Sequence, residues 1–284
     1  MIPECHINCV FLATLLKLRL PDLFRDLQDI LVSHGIEVRL LDKGRDIWVK
    51  DYAPVQVGQG KLIKFRYDPD YLRQNPEMRT GNEVVKAFRT LGRCHQSEII
   101  LDGGNVIASR TKAILTAKIY KENPGWSRSD LRNRLQELLQ VDQLIVVPKE
   151  PIDPIGHSDS MVRFINEEAV LVNDYSGIDP AFGEKLHKVL RRNHLAIEHI
   201  PYVPEMRSRG GIPSAVGCYT NFLRTEKVLV APVFGMKQDH IALRKLEAVF
   251  PGLSIVPLNC TDLARNGGIV NCISGTFNIS QKKQ

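Results

Sequence analysis

No run of five basic residues, no Cys-x-x-Cys pair and no apolar stretch of bilayer length occurs in the 284 residues, and each absence removes a class of function. Aromatic residues are only 7%, and 38 Lys+Arg against 32 Asp+Glu leave a net charge of +6. So mild an excess, without a basic cluster, predicts a solvated surface and no nucleic-acid partner. The cysteines at positions 5, 9, 94, 218, 260 and 272 are scattered. Their spacing predicts neither a zinc ribbon nor a disulfide framework, and points to a reducing, cytoplasmic compartment. Cys5, His6 and Cys9 could supply three metal ligands, but no matching second half lies nearby, so buried apolar cysteine is the expected role. The apolar run 9–16 has no basic residue before it and no small-residue cleavage site after it, which predicts neither a signal peptide nor a membrane span. The glycine spacings of dinucleotide-binding and P-loop motifs are also missing.

What is present is an ordinary globular composition, 43% hydrophobic and 25% charged, in a chain long enough for a large core. Length alone suggests about two domains. Internal repetition overrules that. Helical apolar spacing recurs about every fifty residues, at 22–33, 80–91, 127–139, 180–192 and 238–250. Short β-branched runs follow at 36–40, 99–101, 144–147, 196–200 and 253–256, and hairpin-like pairs such as 161–164 with 169–172 complete a strand-strand-helix-strand unit. Five such units without a linker predict one α/β domain, 1–284, closed as a ring.

The residues with chemical potential fall at one phase of that repeat: Asp51, Asp102, His157 with Asp159, Asn221 and Cys272. A ring would aim them at one axis. Strand periodicity over 46–54 places Asp51 on the more apolar face, where a carboxylate needs a cationic partner, and Trp48 and Tyr52 on the other, where they should pack. In Asp102-Gly-Gly-Asn105 the glycines suit a tight turn and also a close backbone approach to a ligand. His157 and Asp159, two apart in an extended segment, should serve one site, and no other histidine at that phase supports a metal. Asn221 and Cys272 each have plainer readings, as a backbone-bonding amide and a buried thiol.

As an ordered set, Asp-Ile-Trp-Val-Lys-Asp-Tyr-Ala-Pro, Asp-Gly-Gly-Asn, Gly-His-Ser-Asp, Tyr-Thr-Asn-Phe and Gly-Gly-Ile-Val-Asn-Cys make the whole chain resemble the agmatine deiminase and bacterial peptidylarginine deiminase family of guanidine-modifying enzymes. The resemblance implies a five-bladed α/β-propeller (pentein) fold. It also implies that Cys272 is the nucleophile, His157 the acid and base, and Asp51 and Asp159 the guanidinium-holding carboxylates. Asn221, Asp102 and Asn105 would be further substrate-site residues. The family commonly has Glu at Asp102, Arg at Lys50 and His at Asn271, and typical agmatine deiminases are longer than this chain.

The chemistry so implied is hydrolysis of a small guanidino compound, agmatine foremost, to a ureido product and ammonia through a thiouronium on Cys272, with no cofactor or metal. Alternatives are an amidinotransferase or peptidylarginine deiminase with the same site, a non-catalytic guanidine-binding module, and a Cys-His-Asn thiol protease. Two convergent carboxylates would repel the oxyanion that a protease must develop, and retention of both Cys272 and His157 argues against a mere binding module. No membrane partner is expected, and the oligomeric state is not encoded in any motif.

Overall fold

The computed structural model describes residues 1–209 and 211–279. Among the described residues the strands form five three-stranded sheets and one two-stranded hairpin, none of which closes on itself. Each three-stranded sheet repeats one pattern. A central strand lies antiparallel to one neighbour and parallel to the other, and a helix links the parallel pair. In the first, Cys9–Ala13 runs parallel to Glu37–Leu41 across the helices Thr14–Arg19 and Pro21–Ser33. Lys61–Arg66 and Arg93–Ile100 are joined through Asn82–Leu91, and Lys112–Thr116 and Gln143–Val147 through Lys118–Glu122 and Arg128–Leu139. Pro180–Arg192 joins Ala169–Asn173 to Ala196–Ile200, and Asp239–Val249 joins Val228–Val233 to Ser254–Asn259. The central strand Cys9–Ala13 is buried throughout, so its sequence reads as an unbroken apolar run and not as an alternation.

The helices sit where their apolar spacing placed them. Ser127 accepts a hydrogen bond from Asp130 N at 3.1 Å and so caps Arg128–Leu139, whose Leu131, Leu135, Leu138 and Leu139 are buried. Asp179 does the same for Pro180–Arg192 through Phe182 N at 2.9 Å. The segment expected to be helical at 80–91 is a 3-10 helix, Asn82–Leu91, which still buries Val84, Phe88 and Leu91.

Two expectations of extended chain are corrected. Val49–Tyr52 is a single helical turn, closed by Ala53 N donating to Val49 O at 2.9 Å. Pro54 holds Ala53 extended and stops the helix there. Ser158–Ser160 is likewise a 3-10 turn, with His157 extended just before it. The first unit is split between the chain ends: Gly275–Phe277 pairs antiparallel with Cys9–Ala13, bringing Cys9 opposite Phe277. Cys9 is buried and Cys5 exposed, so the apolar-cysteine expectation holds for only one of them.

Phe277 stacks edge-on against Phe11 at 5.3 Å and lies 5.2 Å from Phe88, so one aromatic residue ties the C-terminal strand to two units. Phe277→Ala should therefore lower the unfolding free energy by about 3–5 kcal/mol in urea titrations. A loss below about 1 kcal/mol would mean that this strand is dispensable to the core.

Candidate active site

Every candidate residue lies in a link that leaves the third strand of one unit and enters the first strand of the next. Asp51 sits between Glu37–Leu41 and Val55–Gly58, Asp102 and Asn105 between Arg93–Ile100 and Ile107–Ala108, and His157 and Asp159 between Gln143–Val147 and Val162–Phe164. Asn221 precedes Leu223–Arg224, and Cys272 precedes Gly275–Phe277. Backbone bonds tie these links together. Lys50 N donates to Cys272 O at 3.0 Å, and Asn271 N to Asn221 O at 3.4 Å.

Asp51, His157, Asp159 and Cys272 line one cavity of about 890 Å³. The Cys272 thiol lies 3.9 Å from Asp159 Oδ2 and 3.4 Å from Asn221 Oδ1. His157 is bracketed by carboxylates, with Nε2 2.9 Å from Asp102 Oδ2 and Nδ1 3.5 Å from Asp51 Oδ1. Gly104 makes this bracket possible: its N donates to Asp51 Oδ1 at 3.2 Å, and a Cβ there would stand 2.6 Å from both that oxygen and His157 Nδ1. Neither Gly103 nor Gly104 has positive φ, so close approach and not turn geometry requires them.

Asp102, Asn105 and Asn221 are buried and do not line the cavity; each braces a neighbour. Asp102 holds the imidazole. Asn105 Oδ1 accepts from Thr116 N at 2.9 Å and Ser158 N at 3.2 Å, fixing the turn that carries Asp159. Asn221 faces the thiol.

The helical turn at 49–52 also changes the fate of Trp48. At three residues from Asp51 it lines the same cavity, and it also packs against the core as expected. Tyr52 does pack, with its hydroxyl donating to Asp46 O at 2.9 Å.

Two residues at the site were not picked out as site residues by motif. Asn271 Nδ2 donates to Asp159 Oδ2 at 2.7 Å and so orients that carboxylate. Lys118, with a side chain 1% exposed, lies 2.6 Å from Asp102 Oδ2 and 2.8 Å from Glu122. The available signal was a Lys and a Glu four apart on a five-residue helix directly after a buried strand. A buried acid, Glu150, also lines the cavity, accepting from Tyr202 at 2.8 Å and Tyr175 at 3.2 Å.

The electrostatics follow from crowding acids into a dry wall. Burial, reinforced by Asp102 and Asp159, pushes Asp51 up to about 7 in spite of His157. Burial opposes the His157 cation, but Asp51 and the bond to Asp102 raise it to about 9. Burial would raise Asp102 too, yet Lys118 and His157 hold it below the ordinary carboxylate range. The Cys272 thiol is pushed far above its usual range by burial and then by Asp159 and Asp51. Among the described residues no cluster of three or more His, Cys, Asp or Glu could hold a metal.

Asp51 and His157 both bind protons more tightly in the folded chain, so the stability they contribute is present at low pH. It is lost as pH rises, for Asp51 from its ordinary value of about 4 through about 7, and for His157 from about 6.5 through about 9. Asp51→Asn deletes the first site and removes the largest force raising the second. Unfolding free energy between about pH 5 and pH 9 should then fall less steeply than in the parent protein, and equal slopes in urea titrations would refute the assignment.

Residues 21–277 match the model of the Porphyromonas-type peptidyl-arginine deiminase family. A protein of Lactococcus lactis subsp. lactis (strain IL1403), provisionally named agmatine deiminase, is 24% identical, with 84% of this chain and 76% of the relative covered. Among solved structures, a substrate-bound cysteine-to-serine variant of agmatine deiminase from C. jejuni superposes with a TM-score of 0.80 at 15% identity, covering 99% of this chain and 96% of that one. DDAH from Pseudomonas aeruginosa, in complex with citrulline, gives 0.62 at 12% identity, covering 95% and 99%. These structural likenesses establish the shared α/β fold. No helix among the described residues is long and apolar enough to cross a membrane. By the extent of the family match, which takes in the links carrying all five motifs, this chain belongs to the Porphyromonas-type peptidyl-arginine deiminase family.

Proposed function

We propose that the protein is a hydrolase that deiminates a small guanidino compound, foremost agmatine, through a covalent intermediate on Cys272. The observation that carries this reading is a thiol within reach of one carboxylate, Asp159, in a cavity whose wall also presents Asp51 and His157. Family membership, and the agmatine deiminase names among its relatives, support it. We further read the five repeated sheets as the blades of one propeller domain spanning 1–284, the arrangement that would bring all the links to a common axis.

A guanidinium resists attack because its charge is spread over three nitrogens. Asp51 and Asp159 would hold the planar cation by paired charge-assisted hydrogen bonds, and Asp159 Oδ1 is buried without a partner of its own. The same cation reverses the field at Cys272. Without it, burial and two acids hold the proton on sulfur; beside it, the thiolate becomes the favoured form. Sulfur attacks the guanidine carbon to give a tetrahedral adduct. The His157 imidazolium donates its proton to the departing nitrogen, releasing ammonia and leaving an S-alkylthiouronium. Neutral His157 then takes a proton from water, whose oxygen attacks the same carbon. Collapse expels the thiolate and frees the ureido product.

Asp102, Asn105 and Asn221 serve this site by bracing His157, the Asp159 turn and the thiol, with no direct contact to substrate. The tail of agmatine would find Glu150 and an aromatic face in Trp48 on the cavity wall, where Asp46 and Glu205 are already paired with Arg19 and with Arg207 and Arg265.

Cys272→Ala should reduce ammonia release by about 10³-fold or more while guanidines still raise the melting temperature. Near-parental release from the variant would overturn the nucleophile. In a kcat/KM panel of agmatine, arginine, a peptide ending in arginine and methylguanidine, agmatine should lead. Preference for the peptide would replace the substrate and keep the reaction. Turnover of none, with binding intact, would favour a guanidine-binding module.

A further inference from the structure

His157 must both hold a proton and give it away, and its surroundings favour holding. Asp51 faces it from the Val49–Tyr52 turn and Asp102 from the residue before Gly103–Asn105, while the Tyr71 ring lies edge-on at 6.2 Å. Asp159 and Cys272 share the same cavity wall. Two acids in a dry site would trap an imidazolium. Among the described residues the lysine bonded to this pair is Lys118, whose ammonium bonds the same Asp102 oxygen that the imidazole uses, whereas Lys50, whose charge Asp51 and Asp159 favour, donates to Thr276 Oγ1 at 3.3 Å.

Lys118 does not line the cavity. It stands behind it, 5.0 Å from the centre of the Tyr71 ring, and is anchored by Glu122, which also accepts a hydrogen bond from Asp70 N at 3.3 Å. The remaining charged neighbours do not replace it. Lys64, the other buried amine whose charge Asp102 favours, donates to Phe65 O at 2.8 Å and makes no bond to Asp102. Lys121 is exposed and pairs with Asp70. The second oxygen of Asp102 is buried without a partner, so the whole hydrogen-bonding load of that carboxylate falls on the atom shared by Lys118 and His157.

We propose that Lys118 is a positioning residue that keeps the His157 proton transferable, by dividing the charge of Asp102 between two cations and by holding the shared oxygen against the imidazole. The proposal rests on the deiminase reading only for its consequence in catalysis; the charge relation itself is independent of substrate. Its sign can be worked out from neighbouring charges. Deleting the Lys118 cation stabilises the protonated ring, so His157 titrates higher. Deleting the Glu122 anion strengthens the influence of Lys118, so His157 titrates lower.

The test is the ring titration of His157 by NMR of protein labelled with ¹³C-histidine, assigned with His157→Gln, alongside the pH profile of ammonia release. Lys118→Met should move the ring titration up by about one pH unit and carry the alkaline limb of kcat with it. Lys118→Arg should restore both, and Glu122→Gln should move both the opposite way by less. A lysine that merely supports the fold would lower activity equally at all pH values with the titration unmoved, and that result would overturn the proposal. Should Lys118→Met fail to fold, Glu122→Gln decides: a downward shift supports the charge relation and an unchanged titration refutes it. If the parent protein releases ammonia from no guanidine, the deiminase reading fails, while the ring titrations still decide the role of Lys118.

Discussion

The constraint on which the site depends is the cost of burying carboxylates. Asp51, Asp102 and Asp159 are all nearly inaccessible to water, and an ionised acid in such a setting must be paired or must take up a proton. The structure meets that demand unevenly. Asp102 is paired twice over, with Lys118 and His157. Asp159 has only the amide of Asn271 and the thiol on one oxygen, and its other oxygen has no partner. Asp51 holds a proton up to about 7. Of these three, the acids at the cavity thus have fewer cationic partners than the acid behind it. A planar cation with several donors would supply what the former lack.

That unevenness requires accurate placement, which the repeat architecture provides. No single unit sets a thiol, an imidazole and two acids within reach of one another, because each link carries only one or two of the site residues. Each link leaves a strand paired in parallel to a more buried central strand, which anchors the start of the link. Hydrogen bonds between links then lock neighbours, as Lys50 N does to Cys272 O. Glycine works at the points of closest contact. Gly103 would set a Cβ 2.0 Å from Lys50 O, and Gly104 would set one between Asp51 and His157. Alanine at either place would force apart two links that the chemistry needs together.

Much of this was legible in the amino-acid order because it is local. Helix spacing with caps at Ser127 and Asp179, apolar runs for parallel strands and the fifty-residue period all come from neighbours in the chain, and so does the placement of each motif after the third strand of its unit. Errors arose where a few residues could satisfy either period. The 46–54 segment alternates well enough to suggest a strand, but 49–52 forms a helical turn stopped before Pro54, and Trp48, besides packing against the core, reaches the cavity wall.

Chemistry carried by contacts across the chain was not legible. Lys118 looks like half of an ordinary surface pair with Glu122, and only the packing of its helix behind Asp102 makes it a buried counter-charge. Asp102, expected as a substrate-site residue beside a glycine turn, bonds His157, 55 positions away. The sequence by itself determined the class of fold, the period of the repeat and which residue types face the site. Tertiary structure decided which acids are paired and which are left wanting, because desolvation and charge pairing depend on what lies within a few ångströms in space and not on what lies nearby in the chain.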